Sequence, residues 1–228
     1  SEPSFFEETT MQLLCIFFHP QPSITALGGA EKRFLETSKI WLKRGIKIIA
    51  IEPRPCLLSE TTVNLEVHKL SSLIRHTGKS WLITYVGWIL WTLMACFKGA
   101  SIAKAQKLNI VLATNNTLPN LVPAYFIHTI SNLPLCVVVH HIDIPSSSND
   151  ESLLEIYRMY RKIEYDKLTS LIKTLALLIT LFIIRRSNTC IAVSNSTAKT
   201  LLRNKVPKNK VHVSGNGVNI GYIESFKF

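Results

Sequence analysis

The 228 residues carry 47% apolar side chains, enough to bury a real core, and this excludes disorder as the overall state. Lys and Arg total 26 against 15 Asp and Glu, a formal net charge of +11, so the chemistry of the partner is anionic: phosphate, nucleic acid or an acidic lipid surface. The five cysteines (Cys15, Cys56, Cys96, Cys136, Cys190) are scattered and odd in number, with no CxxC pair, which argues against a disulfide framework or a zinc site and for reduced thiols in a cytoplasmic setting.

The first ten residues are acidic and lack a basic segment leading into an apolar core, so no secretory signal is visible. Residues 1–10 read as a leader or expression remnant, with Met11 a candidate start. "MQLLCIFFHP" (11–20) is a nearly continuous apolar run, as expected of a central parallel strand buried on both faces. Beyond Gly28 and Gly29, the residues Ala30, Phe34, Leu35, Ser38, Trp41 and Leu42 recur at helical spacing. Glu31 in the first turn, and Lys43-Arg44 before Gly45, place a helix over about 30–44. "IKIIAIEP" (46–53) follows as a strand, and the alternation in "TTVNLEVHKL" (61–70) suits a strand nearer an edge.

Residues 81–97 contain no charge and continue as a more polar helix to about Gln106. At about 1.5 Å per residue the apolar part covers about 25 Å, the lower limit for crossing a bilayer. "NIVLATNN" (109–116) then reads as a strand, "LPNLVPAYFIHTISN" as a proline-initiated helix and "PLCVVVHHIDI" (134–144) as a buried strand. A loop at 145–150 leads into one long helical region whose apolar portion is 171–184. "TCIAVS" (189–194) is a strand, Ser194 or Asn195 caps a short helix, and "KVHVSGNGVN" (210–219) supplies a final strand and turn. Strands alternating with crossovers mean a doubly wound parallel α/β sheet, Rossmann-like.

That topology constrains the two apolar helices. A span at 81–97 would put the strands at 109–114 and 136–141 on the other side of a membrane from the strands at 11–17 and 46–51 with which they should pair. Both are therefore read as helices lying on a membrane or packed in the core. The nearby Lys79, Lys98, Lys104, Lys107, Lys167, Arg185 and Arg186 suit anionic headgroups.

Four features fall at the carboxyl ends of expected strands, where open α/β sheets bind ligands. Gly28-Gly29 at a helix start allows close backbone approach to an anion, with Lys32 in reach of a phosphate, and is equally compatible with a plain turn. His140-His141 with Asp143 offers a base or hydrogen-bond donor near neutral pH; adjacent strand residues point to opposite faces, which disfavours a metal pair. Asn115-Asn116-Thr117 suits a hydroxyl ligand or a turn and cap, and Ser194-Asn195-Ser196 is explained by capping alone. There is no GxGxxG, which disfavours a nicotinamide-dependent enzyme; Walker, GxSxG and HExxH patterns and nucleic-acid modules are also missing, so nucleic acid is not the expected partner.

Taken in order, "GGAEKRFLETSKIWLKRGIKIIAI", "NIVLATNN", "LPLCVVVHHID" and "CIAVSNSTAKTLLRNKVPKNKVHVSGNGVN" resemble the GT-B retaining glycosyltransferases of family GT4, over residues 11–219. The resemblance implies transfer of a sugar from a nucleotide-sugar to a hydroxyl acceptor without a metal or cofactor. By position it makes Gly28, Gly29 and Lys32 the donor-phosphate loop, and His140, with His141 as second choice, the histidine near the reacting sugar. Asn115, Asn116 and Asp143 fall on the acceptor side. Asn216 and Gly217 of "NGVN" match the hinge to a second, donor-binding domain, with Asn219 where the family has Asp. The expected organisation is a Rossmann-like acceptor domain over 11–215 and a hinge from 216, with the family's paired glutamates and diphosphate-binding basic residues not found before Phe228. The expectation is an acceptor-binding half acting on a membrane or lipid-linked glycan acceptor, peripheral on the cytoplasmic face of a membrane and inactive without a donor domain. The alternative is a non-catalytic membrane-anchoring subunit of a split transferase that binds a separate donor-domain subunit.

Overall fold

A computed structural model describes residues 11–19, 28–54, 56–58, 65–71, 81–142, 153–163 and 166–215. Its strands form one seven-stranded parallel sheet in the order β3-β2-β1-β4-β5-β6-β7, the doubly wound arrangement expected from the alternation of elements. The chain divides into two compact units, Ser1–Val137 and Val138–Phe228, with the division inside β5 (Leu135–Val139).

In the first unit, β1 (Gln12–Ile16) lies between β2 (Lys47–Pro53) and β4 (Ile110–Ala113), so Leu14 pairs with both Ile49 and Val111, and all three are fully buried. Burial on both faces is why these strands read as unbroken apolar runs. β3 (Glu66–Leu70) pairs only with β2 and stays half-exposed, which is why its sequence alternates. The expected strand over 61–70 is thus seen in its second half, residues 61–64 lying outside the described set.

Helix α1 (Gly29–Lys43) buries Phe34, Leu35 and Ser38, one residue off the expected start. It ends because Gly45 takes φ +77°, a left-handed turn open to glycine at no steric cost, and Ile46 N–H donates to Trp41 O (3.0 Å). α2 (Trp81–Ala105) covers the apolar segment and its polar tail, burying Trp91, Ala95, Cys96 and Ile102. It packs on α3 (Leu118–Ser131) through Gly99, where an added Cβ would stand 2.1 Å from Ile127 Cδ1.

α2, from Tyr85 to Ala105, is long and apolar enough to cross a membrane. A single crossing by α2 would part β4, which follows it, from β1, which precedes it in the chain, and these two strands are hydrogen-bonded neighbours.

In the second unit, the helical region expected to be continuous is broken into α4 (Leu153–Lys162) and α5 (Lys167–Arg186). Asp166 causes the break: its carboxylate accepts from Thr169 N–H (3.0 Å) and from the Thr169 hydroxyl, which starts a new helix. α5, like α2, is long and apolar enough to cross a membrane. β6 (Thr189–Ala192) follows it and pairs with β7 (Val211–Val213), Cys190 opposite Val211, after α6 (Asn195–Arg203) and a single 3₁₀ turn at Lys208–Lys210.

Candidate functional site

The sheet changes winding direction between β1 and β4, and in open α/β sheets ligands collect outside the carboxyl ends of strands at that switch point. In the first unit this end is built from a small number of buried polar side chains. Thr114, just past β4, donates from its hydroxyl to Ile16 O (2.9 Å) and so ties the two strand ends together. Asn120, in the first turn of α3 and fully buried, accepts from Phe18 N–H (2.9 Å) and donates back to Phe18 O (3.3 Å). The same amide donates to Asn115 Oδ1 (2.8 Å), and that oxygen also takes Thr117 N–H (2.9 Å) and the Thr117 hydroxyl (2.7 Å).

Asn115 is therefore buried, with its carbonyl oxygen engaged by three internal donors, whereas Asn116 is half-buried. The side-chain carbonyl of Asn115 fixes the turn that ends β4 at Ala113, three residues short of the end of the strand expected over 109–116.

A second polar pair lies beside this network and was not singled out from the sequence. His19, after β1, donates from Nε2–H to Glu52 Oε1 (3.0 Å), and both side chains are fully buried. The Glu52 carboxylate also accepts from Leu57 N–H and Leu58 N–H, so three donors converge on it. A charged residue inside "IIAIEP", where every neighbour is buried, is the sequence signal that such a partner had to exist.

Gly28 and Gly29 sit where expected, at the start of α1. Gly28 is extended (φ −73°, ψ 175°) and Gly29 is the first helical residue, so neither needs glycine for its backbone angles. Among the described residues, a Cβ on Gly29 would meet nothing within 4 Å, and one on Gly28 would meet the Glu31 carboxyl group, with Oε2 at 2.8 Å. As N-cap, Gly28 offers no side chain to cap the helix, and the exposed Lys32 and the Glu31 carboxylate lie in its first turn.

In the second unit, β5 ends at Val139 rather than running to 144, which puts His140 directly beyond the strand's carboxyl end, half-buried, and leaves His141 exposed. The His140 carbonyl accepts from the Thr197 hydroxyl (3.2 Å), which is itself bonded to the Ser194 hydroxyl (2.9 Å). Ser194 is the N-cap of α6 and accepts from Thr197 N–H (3.0 Å), so capping accounts for Ser194, and Thr197 is the residue the sequence reading missed. Asp143, Asn216 and Gly217 lie outside the described residues.

Among the described residues no three His, Cys, Asp or Glu side chains cluster as metal ligands would. All five cysteines are buried, and none is in a disulfide. Burial pushes the thiols of Cys15 and Cys190 up, and that of Cys96 to about 11, which makes them inert packing groups rather than nucleophiles.

The parallel sheet, with its change of winding between β1 and β4, defines a Rossmann-like α/β protein. The sequence matches Glycosyltransferase Family 4 over residues 27–222, and the chain belongs to that family. No curated protein is similar enough in sequence to count as a relative.

Solved structures share the fold at low identity. Anabaena HepE, in complex with UDP and glucose, superposes with a TM-score of 0.52 at 15% identity, covering 92% of this chain and 46% of that one. A putative UDP-N-acetylglucosamine 2-epimerase from Listeria monocytogenes gives 0.56 at 10%, covering 91% and 46%. The lipopolysaccharide outer core galactosyltransferase WaaB, in its apo form, gives 0.50 at 10%, covering 92% and 47%. The chain spans about half the length of these structures.

Proposed function

We propose that this chain is the acceptor-binding half of a nucleotide-sugar-dependent, retaining glycosyltransferase of the GT-B type, acting on a lipid-linked or membrane-bound glycan acceptor at the cytoplasmic face of a membrane. The observation that carries the reading is the family match over 27–222, which runs from the Gly28-Gly29 helix start through His140 to the end of β7. The fold by itself is shared by transferases and epimerases, and the family match favours the transferase. HepE was captured with UDP-glucose, which supports a nucleotide-sugar as donor here.

In this reading the free N–H groups of Gly28, Gly29 and the following residues face the donor diphosphate, with the helix dipole and Lys32 adding positive potential. His140 stands at a strand end with its main chain held by Thr197, positioned to hydrogen-bond the reacting sugar; His141 is the second candidate. Asn116 and Asp143 serve the acceptor hydroxyl, while Asn115 shapes the turn that presents them. Charge on the leaving diphosphate is neutralised by the helix start and basic side chains rather than by a metal. Asn216 and Gly217 form the hinge toward the donor-binding half.

The test is calorimetric titration of nucleotide-sugars (UDP-, GDP- and ADP-linked) into the chain, with and without EDTA, followed by transfer assays. Weak, EDTA-insensitive binding that is lost in Gly29→Asp supports the reading. No binding of any nucleotide-sugar, or binding indifferent to that substitution, refutes it. The 228 residues alone are expected to give no turnover, so robust transfer without an added subunit would overturn the half-enzyme part.

A further inference from the structure

We propose that the outer face of α2 and α3 in the first unit is a docking surface for an anionic phospholipid bilayer, on which the helices lie without crossing. Its purpose rests on the membrane-acceptor reading above, but the surface is argued independently of it. Along α2, Val86, Ile89, Leu90, Leu93 and Phe97 are all exposed and fall at the i, i+3, i+4, i+7, i+11 positions of one helix face. Ile89 is 59% and Phe97 71% exposed, although each is a large apolar side chain.

The face continues onto α3 through Phe126 and Ile130, and the Phe97 and Phe126 rings meet edge to face at 6.4 Å. A patch two helices wide, with no charge between residues 81 and 97, is more than scattered surface apolarity and marks an interaction site.

The rim names the occupant. Lys98 and Lys104 are exposed on α2, and Lys107 follows it. No Asp or Glu occurs anywhere between Glu66 and Asp143, so the whole face is cationic where it is charged at all. The opposite surface type is seen on α1, where Glu36 and Lys39 pair at 2.7 Å.

A second copy docking on this face by two-fold symmetry would set these lysines against a face whose α2 and α3 carry no carboxylate. An anionic headgroup layer complements them while the acyl region takes the apolar side chains. Tyr85 and Trp88, half-buried and in edge contact at 5.6 Å, supply the amphipathic aromatics that favour the headgroup level. Crossing is excluded by the β1–β4 pairing.

The experiment is flotation of the purified chain with vesicles of phosphatidylcholine alone or with a third phosphatidylglycerol. The expected result is binding to the anionic vesicles that falls as salt rises, and at least tenfold weaker binding to phosphatidylcholine. Ile89→Asp/Phe97→Asp should lower anionic-vesicle binding at least tenfold. Lys98→Gln/Lys104→Gln should remove most of the salt dependence, while Ile40→Asp on α1 changes neither. Because both replaced side chains of the first variant are exposed, its thermal midpoint should stay near the parent's; Phe97→Trp gives a second readout, a blue shift of emission on vesicles.

The proposal is overturned if the parent does not float with anionic vesicles, or if Ile89→Asp/Phe97→Asp floats like the parent. It is also overturned if only Leu175→Asp/Ile179→Asp on α5 releases the protein, or if the face proves to hold a dimer that Phe97→Asp dissociates. None of these readouts uses a sugar donor, so loss of docking with intact nucleotide-sugar binding refutes this surface alone, and the reverse refutes the transferase reading alone.

Discussion

Removing the Glu52 carboxylate should be among the most damaging single changes to the first unit. Three donors converge on it: His19 Nε2–H at 3.0 Å and the backbone N–H groups of Leu57 and Leu58, from side chains and main chain that are fully buried. Glu52→Ala takes this acceptor from all three where water has little access. At about 1–3 kcal/mol for each hydrogen bond lost, and allowing for partial compensation, the cost is about 4–6 kcal/mol. That approaches the whole stability of an ordinary domain, about 5–15 kcal/mol. Glu52→Gln keeps one oxygen and loses the charge that strengthens each bond, about 1 kcal/mol apiece, so about 2–3 kcal/mol. Urea denaturation followed by fluorescence reads both, with the slope m expected to stay constant. A double-mutant cycle with His19→Ala isolates the pair, because removing His19 should cost less once Glu52 is gone. If Glu52→Ala lies within about 1 kcal/mol of the parent, the carboxylate is not the hub described, and the account of the β1 and β2 ends fails.

Asn120→Ala should destabilise by about 2–4 kcal/mol, since it strands both Phe18 N–H and Phe18 O; an unchanged urea midpoint would contradict the network. Gly29→Ala should leave stability unchanged or raise it by up to about 1 kcal/mol, because the site is open and the backbone already helical. If the helix start receives a diphosphate, the same substitution should weaken nucleotide-sugar binding in a calorimetric titration, and a destabilised protein with normal binding would invert the argument. Asp166 is held below the usual carboxylate range by hydrogen bonds from the Thr169 side chain and backbone. A depressed folded value means that the contribution of the cap is present above the ordinary aspartate pKa of about 3.9, and is lost as pH falls through the folded value. A carboxyl carbon titration of Asp166 should therefore show a midpoint below that of a free aspartate; a midpoint at or above it would contradict the cap.

Hydrophobic runs located the strands because β1, β2, β4 and β5 are buried on both faces, and a run of Leu, Ile and Val has few other places to go in a chain of this length. The half-exposed β3 announced its edge position by alternating. Boundaries were less legible where a side chain, rather than the pattern, ends the element. Asn115 stops β4 by taking Thr117 N–H, and Asp166 starts α5 by taking Thr169 N–H. Both residues were in plain view, but the choice between a helix interior and a cap depends on a local hydrogen bond that competes with the ladder or helix by only about 1 kcal/mol. The periodicity of 151–184 does not record it.

The ligand end shows the same division between pattern and contact. Gly28-Gly29 was visible as a glycine pair at a helix start, yet its meaning turned on two facts outside any pattern: ordinary backbone angles, and open space where Gly29 would carry a Cβ. A turn that needed glycine would have shown a positive φ, as Gly45 does. Here the backbone angles of both residues are open to any amino acid, so the pair is read from its place at a helix start and not from strain. His140 was legible by its place after a strand, whereas Thr197, which holds its carbonyl across 57 residues of sequence, was not. Glu52 lies between these cases. A carboxylate in an apolar strand demands donors on energetic grounds alone, so the sequence poses the question, and only the fold, by bringing His19 and the Leu57 and Leu58 amides to one oxygen pair, answers it.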